Sequence, residues 1–131
     1  MKTSIDSRNA EIDTLTTLLD GGFLKMFTGS QPASPESEET GELLATLKFN
    51  APSYASAING RAKANPLGPD LDASGTGNAG WFRCYKADGK TALLDGSVGV
   101  KNSGADIEMN SVSIQIHTEV SVGDLDITLP Q

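Results

Sequence analysis

The chain is poor in the residues that usually carry catalysis or covalent cross-links. Its 131 residues include one cysteine, one histidine and one tryptophan, and only 5% of them are aromatic. A single cysteine excludes an internal disulfide and is typical of a protein made in a reducing cytoplasm. A single histidine excludes a zinc site with two imidazoles and leaves one candidate base for a Ser-His-acid triad.

Positive charge is also scarce. Ten Lys and Arg residues stand against seventeen Asp and Glu, which gives a net charge of -7. Binding to nucleic acid through phosphates requires a positive surface, so we expect no nucleic-acid partner. Apolar runs are only a handful of residues long, whereas a membrane-spanning helix needs about 20, so we expect no membrane partner.

Helical spacing of apolar residues occurs only near the N-terminus. These residues form one apolar stripe, which consists of Ile12, Leu15, Leu18 and Leu19. Ser7 is the expected N-cap, and Gly21-Gly22 is the expected end of the helix. Residues 1–6 have no assignable core role and are expected to form an arm, a type of segment that often orders only against a neighbouring subunit.

From Phe23 onward the apolar period changes to two, which predicts short strands. Eight or so such strands, with fourteen glycines in the chain and turns at regular intervals, predict an all-β fold. We expect a jelly-roll-like or antiparallel β-sandwich with one short N-terminal helix. The predicted organisation is an arm and helix over residues 1–22 and a single β-sandwich domain over residues 23–131.

The predicted strands differ in length, and two segments between them are predicted to be long exposed loops. The longest strand is expected over 112–122, bent near Thr118, and a last alternating pattern ends at Leu129. The loops cover residues 30–41, which are acidic and contain two prolines, and residues 65–80.

One pentapeptide, ADGKT at residues 87–91, resembles the end of a phosphate-binding loop. Such a loop needs a glycine five residues before the Gly-Lys pair, and that position holds Cys84. The preceding segment 81–86 alternates like a strand, so Asp88-Gly89 is predicted to be a hairpin turn. Asn59-Gly60 predicts a second hairpin on the same grounds.

Residues 70–78 carry the oxygen-bearing side chains and the glycine of the first part of a calcium loop. The twelfth position, which should be a bidentate glutamate, is Trp81. Two prolines precede the segment where a helix should be. The sequence therefore favours a turn-rich loop over a calcium site, and we expect no metal and no cofactor.

His117 and Cys84 are the remaining single candidates for chemistry. His117 falls on the polar face of the expected strand 112–122, which predicts a solvent-facing side chain. Cys84 points opposite to its strand neighbours and is predicted to be a small buried hydrophobic residue. The sequence shows no nucleophile motif, and we expect no catalytic residues.

Trp81, Arg83 and Tyr85 share one face of a predicted strand. Tryptophan, arginine and tyrosine are enriched at protein interfaces, and exposed aromatic rings also stack on sugars. The alternative is that Trp81 and Tyr85 pack beneath the N-terminal helix. The candidate partner-contact residues are these three together with Met1 and Ile5 of the arm.

Several segments in this order resemble a family of small proteins encoded by tailed bacteriophages. They are SRNA (7–10), LLDGG (18–22), FLKMFTGSQPA (23–33), GELLATL (41–47), GWFR (80–83), DGKT (88–91), LDGSVG (94–99) and GAD (104–106). The resemblance runs from about Ser7 to Pro130. Among such proteins the chain is most similar to the all-β decoration, or cement, proteins of capsid shells.

The resemblance implies a non-enzymatic virion protein on the capsid exterior, synthesised in the host cytoplasm. It implies the major capsid protein as partner, a dimer or trimer as the assembly, and no cofactor. No catalytic residues belong to it. A neck or tail component and a carbohydrate-binding module that uses Trp81 and Tyr85 are the alternative functions.

Overall fold

The computed structural model describes residues 1–128, and the expected continuation of the last strand to Leu129 lies outside them. The described chain is mostly β with one N-terminal helix, as predicted. Its elements are α1 (Ile5–Leu18), β1 (Phe23–Thr28), β2 (Leu43–Lys48), β3 (Arg61–Lys63), β4 (Gly77–Tyr85), β5 (Ala92–Val100), β6 (Ile107–Met109), β7 (Ser113–Ile114) and β8 (Asp126–Thr128).

The helix begins one turn earlier than the sequence predicted. Ser4, and not Ser7, is the N-cap: its hydroxyl oxygen accepts a hydrogen bond from the backbone N–H of Ser7 at 3.1 Å. Ser7 is thus the third helical residue, and its own hydroxyl bonds Ser4 at 3.0 Å. The arm ahead of the helix is therefore residues 1–3, shorter than the predicted 1–6.

The buried face of α1 is partly polar. Its buried helical residues are Arg8, Ile12 and Thr16, spaced four apart, whereas Leu18 is 41% exposed. Polar partners on the segment after β2 explain this face, because the Thr16 carbonyl accepts from the Ser53 hydroxyl at 2.6 Å. The predicted stripe was right about Ile12 and wrong about Leu18.

The main sheet has the strand order β2-β1-β4-β5-β6, with β7 paired to the start of β4. Pairing is antiparallel except between β5 and β6, which run parallel and make the sheet mixed. Two hydrogen bonds hold the chain where it returns to pair parallel to β5. The Asp106 carboxylate accepts from the N–H of Ser97, and the Ser97 hydroxyl oxygen accepts from the N–H of Asp106, each at 3.0 Å. A second, two-stranded sheet pairs β3 with β8, which gives a β-sandwich-like arrangement.

Both predicted hairpin turns are confirmed. Asp88-Gly89 connects β4 and β5, and Gly89 has the positive φ of 69° that such turns require. Asn59 and Gly60 both have positive φ, 54° and 74°, between the bridged residues Ile58 and Arg61. Two consecutive residues of this kind are the signature of a type I′ hairpin turn.

The long strand predicted over 112–122 is wrong. Only Ser113–Ile114 is strand, and the chain then turns through His117, whose φ is +68°. Beyond the turn, Val120 bridges Asp70 in the predicted loop 65–80. Val112 and Ile114 thus pair with the start of β4, and Val120 pairs with Asp70 in the loop, so the alternating apolar residues of this segment have two different partners.

The core lies on one face of the main sheet and is completed by the helix and by β3, which contributes Ala62. Phe82 and Cys84 of β4 belong to it together with Ile12 and Leu19 at the helix, and all four are at most 1% exposed. The alternation of a strand places Trp81, Arg83 and Tyr85 on the opposite face. That outer face carries the residues that the sequence marked for partner contact.

Candidate interaction surfaces

Trp81, Arg83 and Tyr85 share a face, as predicted, but that face is closed. The three residues are 0%, 3% and 3% exposed. Arg83 and Tyr85 bind residues 30–41, the acidic segment between β1 and β2, which we call the strap. The expectation of an exposed aromatic face is therefore wrong, and so is the alternative that Trp81 and Tyr85 pack beneath the helix.

Arg83 holds the strap through main-chain carbonyls. Its Nη1 donates to the carbonyl of Ser37 at 2.8 Å, and its Nη2 donates to the carbonyl of Ser34 at 3.2 Å. The other side of the guanidinium binds Asp95 on β5, from Nε to Oδ1 at 2.6 Å and from Nη2 to Oδ2 at 3.0 Å. The hydrogen bond with Asp95 raises the pKa of Arg83, against the opposing effect of burial.

Aromatic contacts complete the covered face. The rings of Trp81 and Phe27 stack with centroids 4.5 Å apart, and the Arg83 guanidinium lies 5.2 Å from the Trp81 ring. The Tyr85 hydroxyl donates to a carboxylate oxygen of Glu39 in the strap. Lys25 on β1 places its ammonium 4.8 Å from the Tyr85 ring.

The strap is closed at its base as well as over the sheet. The Thr40 hydroxyl donates to the carbonyl of Ser30 at 3.2 Å, and the N–H of Glu42 donates to the Thr28 hydroxyl at 2.8 Å. A signal for this arrangement exists in the sequence. Arg83 lies within a strand of large apolar residues, and a buried guanidinium needs several acceptors.

The loop 70–78 uses its first carboxylate for the backbone. Asp70 accepts from the N–H groups of Thr46 at 2.8 Å and Asp72 at 2.9 Å. Within residues 1–128, no group of three or more His, Cys, Asp or Glu side chains is placed to hold a metal ion. Asp70 is thus an anchor between this loop and β2.

His117 faces solvent, as predicted, although it lies in a turn and not on a strand. Its Nδ1 is 2.7 Å from Oδ1 of Asp72, and both side chains are 74% exposed. Among the described residues, Asp72 is the partner recorded for this imidazole. Ion pairs at such exposure contribute little to stability.

Cys84 is buried, as predicted, with 1% of its surface exposed. Burial raises the pKa of its thiol well above the ordinary value, and the nearby charge of Asp95 acts in the same direction. A thiol in this state is a poor nucleophile.

The arm and the first helical residue are the sequence-predicted contact residues that the structure leaves open. Met1 is fully exposed and Ile5 is 46% exposed. The arm is anchored at its end by Arg8, whose Nη1 donates to the carbonyl of Thr3 at 2.8 Å. Met1 and Lys2 extend beyond that anchor.

Within residues 1–128, no helix combines the length and the apolar character needed to cross a membrane. Comparisons with family models, with curated proteins and with solved structures find no match to this chain.

Proposed function

We propose that this chain is a non-enzymatic decoration, or cement, protein of a tailed-phage virion. In this proposal it is made in the host cytoplasm, binds the outer surface of the assembled capsid and contacts the major capsid protein. It bridges neighbouring shell subunits, as a dimer or trimer, and needs no cofactor.

The observation that carries the proposal is an exposed arm ahead of a closed β body. The face of the main sheet that carries Trp81, Arg83 and Tyr85 is closed, with Trp81 wholly buried. Apolar exposure at Met1 and Ile5 remains outside that body. A closed body whose N-terminal end exposes two apolar side chains is suited to gripping a repeated surface at many equivalent sites, where avidity multiplies weak individual contacts.

The charge and the resemblance support the same proposal. A net charge of -7 favours solubility of the free protein before assembly. Three segments that carry the resemblance coincide with β1, the centre of β4 and the centre of β5. With GELLATL, which covers most of β2, half of the eight segments contribute to strands of the main sheet, and a jelly-roll-like topology is part of what we propose from the resemblance.

The first experiment is a count of copies per virion. Quantitative mass spectrometry of virions purified from cells that make this chain compares its copy number with that of the major capsid protein. A copy number near that of the shell protein supports the cement function. A handful of copies assigns the chain to the neck or tail, and absence from the virion contradicts the proposal.

A second experiment tests the contact surface. Co-sedimentation with capsids that lack this chain compares the wild type with Ile5→Ser, which we expect to bind at least tenfold more weakly. Leu71→Ser is the matched control, because Leu71 is 71% exposed in the loop 70–78, and it should bind like the wild type. Equal binding by Ile5→Ser and the wild type would contradict the role of this surface.

The sugar-binding alternative depends on rings that the strap covers. Trp81 and Tyr85 are not exposed to a ligand in this structure. We therefore expect no quenching of the tryptophan fluorescence on titration with sugars, whereas saturable quenching would favour the carbohydrate-binding module.

A further inference from the structure

A cavity opens on the helix side of the main sheet, between α1 and the segment that leads into β8. Its volume is about 220 Å³. Half of the residues that line it are aliphatic or phenylalanine, namely Leu15, Phe82, Leu94, Leu125 and Ile127, and Asp95 is among the others. None of the residues discussed above as contact or catalytic candidates lines it.

Tyr54 also lines this cavity, and its hydroxyl is unpartnered. The side chain is 5% exposed, and its oxygen is buried with no hydrogen-bond partner among the described residues. Burial, with smaller effects from Cys84 and Asp126, raises the pKa of Tyr54, so the hydroxyl keeps its proton and can donate. Buried hydroxyls are normally bonded, and among residues 1–128 this one has no acceptor.

The rim of the cavity is acidic. Asp106 and Asp126 line both the cavity and an adjoining groove, to which Glu108 and Asp124 also contribute. Lys101 is the basic residue among those that line the groove. Three of these carboxylates have local partners: Asp126 is 3.9 Å from the exposed Arg61, Asp106 accepts from the backbone N–H of Ser97, and Glu108 accepts from that of Gly104. The rim keeps an excess of negative charge, so a basic occupant with apolar groups fits it.

The arm has that chemistry. Met1 and Lys2 are both exposed, and they join an apolar side chain to a positive one. The arm cannot reach the cavity of its own protomer, because the length of the helix separates them. Thr3 is held by Arg8 next to the N-cap Ser4, and eleven residues separate Ser4 from Leu15, a rise of about 16 Å at 1.5 Å per residue.

We propose that the cavity receives the arm of a second copy of this chain. Met1 enters between the apolar side chains, and the ammonium of Lys2 lies against Asp106 and Asp126. This contact joins copies of the chain to each other, so it holds or fails in the isolated protein, whatever the protein binds in a virion.

The test is the association of the purified full chain, measured by sedimentation equilibrium over a range of concentrations. Lys2→Glu and Asp126→Lys are each expected to raise the dissociation constant at least tenfold, and the double variant should regain most of the loss. Lys90→Glu makes the same charge change at the exposed β4–β5 turn and should associate like the wild type. Wild type that stays monomeric at all concentrations, or a double variant as weak as the single ones, would overturn the proposal.

A mixing experiment avoids dependence on the Asp126 variant. Unlabelled Lys2→Cys protein, spin-labelled at the new thiol, is mixed with isotope-labelled wild type, while the buried Cys84 stays unmodified. We expect intermolecular broadening of the amide signals of residues 125–128. Broadening elsewhere only, or none, overturns the proposed position of the arm.

Discussion

Arg83 on β4 and Asp95 on β5 lie directly opposite each other, and their side chains form a two-point ion pair sealed from water. The two bonds measure 2.6 and 3.0 Å, and the side chains are 4% and 2% exposed. Because Arg83 also binds two strap carbonyls, this pair links the sheet to the segment that covers it. A buried charge of this kind is tolerated only while all its partners are present.

Asp95→Asn should be strongly destabilising. The substitution keeps the shape of the side chain but leaves the Arg83 charge buried without its counter-ion. We expect the free energy of unfolding in urea to fall by about 3–5 kcal/mol.

Asp72→Asn is the control for that measurement, because it removes a carboxylate from the exposed pair with His117. Its cost should be about 0–1 kcal/mol. If Asp95→Asn costs no more than this control, the Arg83–Asp95 pair does not hold the strap in the way described.

Two tyrosine-to-phenylalanine substitutions should have different effects on the free energy of unfolding. Tyr85→Phe removes a bond to the Glu39 carboxylate, and we expect it to destabilise the protein by about 1.5–3 kcal/mol. Tyr54→Phe removes a buried hydroxyl that has no hydrogen-bond partner among residues 1–128. We expect this change to be neutral or stabilising when it is measured at concentrations that keep the protein monomeric.

A glutamate-specific protease gives a second measurement of the Tyr85 effect. The strap contains Glu36, Glu38 and Glu39, and cleavage there requires the strap to open. Tyr85→Phe should raise the cleavage rate about tenfold or more, since about 1.4 kcal/mol corresponds to a factor of ten. We expect Tyr54→Phe to be cleaved at the wild-type rate. Equal rates for the two variants would argue that the Tyr85–Glu39 hydrogen bond does not hold the strap closed.

Stability should fall at alkaline pH. Burial raises the pKa of Cys84 and of Tyr54 above their ordinary values of 9.0 and 10.0. The unfolded chain releases these protons first, so their contribution is complete below about pH 9 and is lost as the pH rises further. Each group should remove about 1.4 kcal/mol per pH unit above its unfolded pKa.

Tyr54→Phe tests that account, because it removes one of the two titrations. Urea unfolding between pH 8 and pH 11 should show a shallower decline in the variant above about pH 10. An unchanged slope would mean that the Tyr54 hydroxyl ionises as readily in the folded protein as in the unfolded chain.

Asp88 should remain ionised to unusually low pH. Hydrogen bonds from the Thr91 hydroxyl and from the N–H groups of Thr91 and Lys90 lower its pKa to about 2. Its stabilising effect on the turn is present above the ordinary value of 3.8 and is lost as the pH falls towards 2. An NMR titration of the Asp88 carboxyl carbon should find this midpoint, and a midpoint near 3.8 would contradict the turn geometry.

Alternation and turn chemistry predicted most of the sheet. The pattern of Trp81 to Tyr85 correctly divided β4 into two faces, and Asp88-Gly89 correctly marked the hairpin. These signals are local, since a period of two and a φ above zero depend on a few consecutive residues. Cys84 was assigned to the buried side for the same reason.

What covers each face could not be predicted in the same way. The sequence of the strap predicts a solvated loop, because it is acidic and contains Pro32 and Pro35. Its contacts with Arg83 are made by main-chain carbonyls, which no side-chain pattern reveals. The prediction for residues 112–122 was wrong in the opposite way, because a strand was expected where the chain forms mostly turns and loop. Their alternation is real, but it serves contacts with the loop 65–80, which are distant in sequence.

The mode of attachment of the strap determines which of its features are free to change. Arg83 binds the carbonyls of Ser34 and Ser37, which every amino acid carries, so these two serine side chains can be exchanged with little effect on the anchor. The number of residues between them, by contrast, is fixed by the spread of one guanidinium. Related chains can therefore display different surface chemistry at this point of the molecule while they keep the same backbone path, and they can do so without altering the sheet beneath.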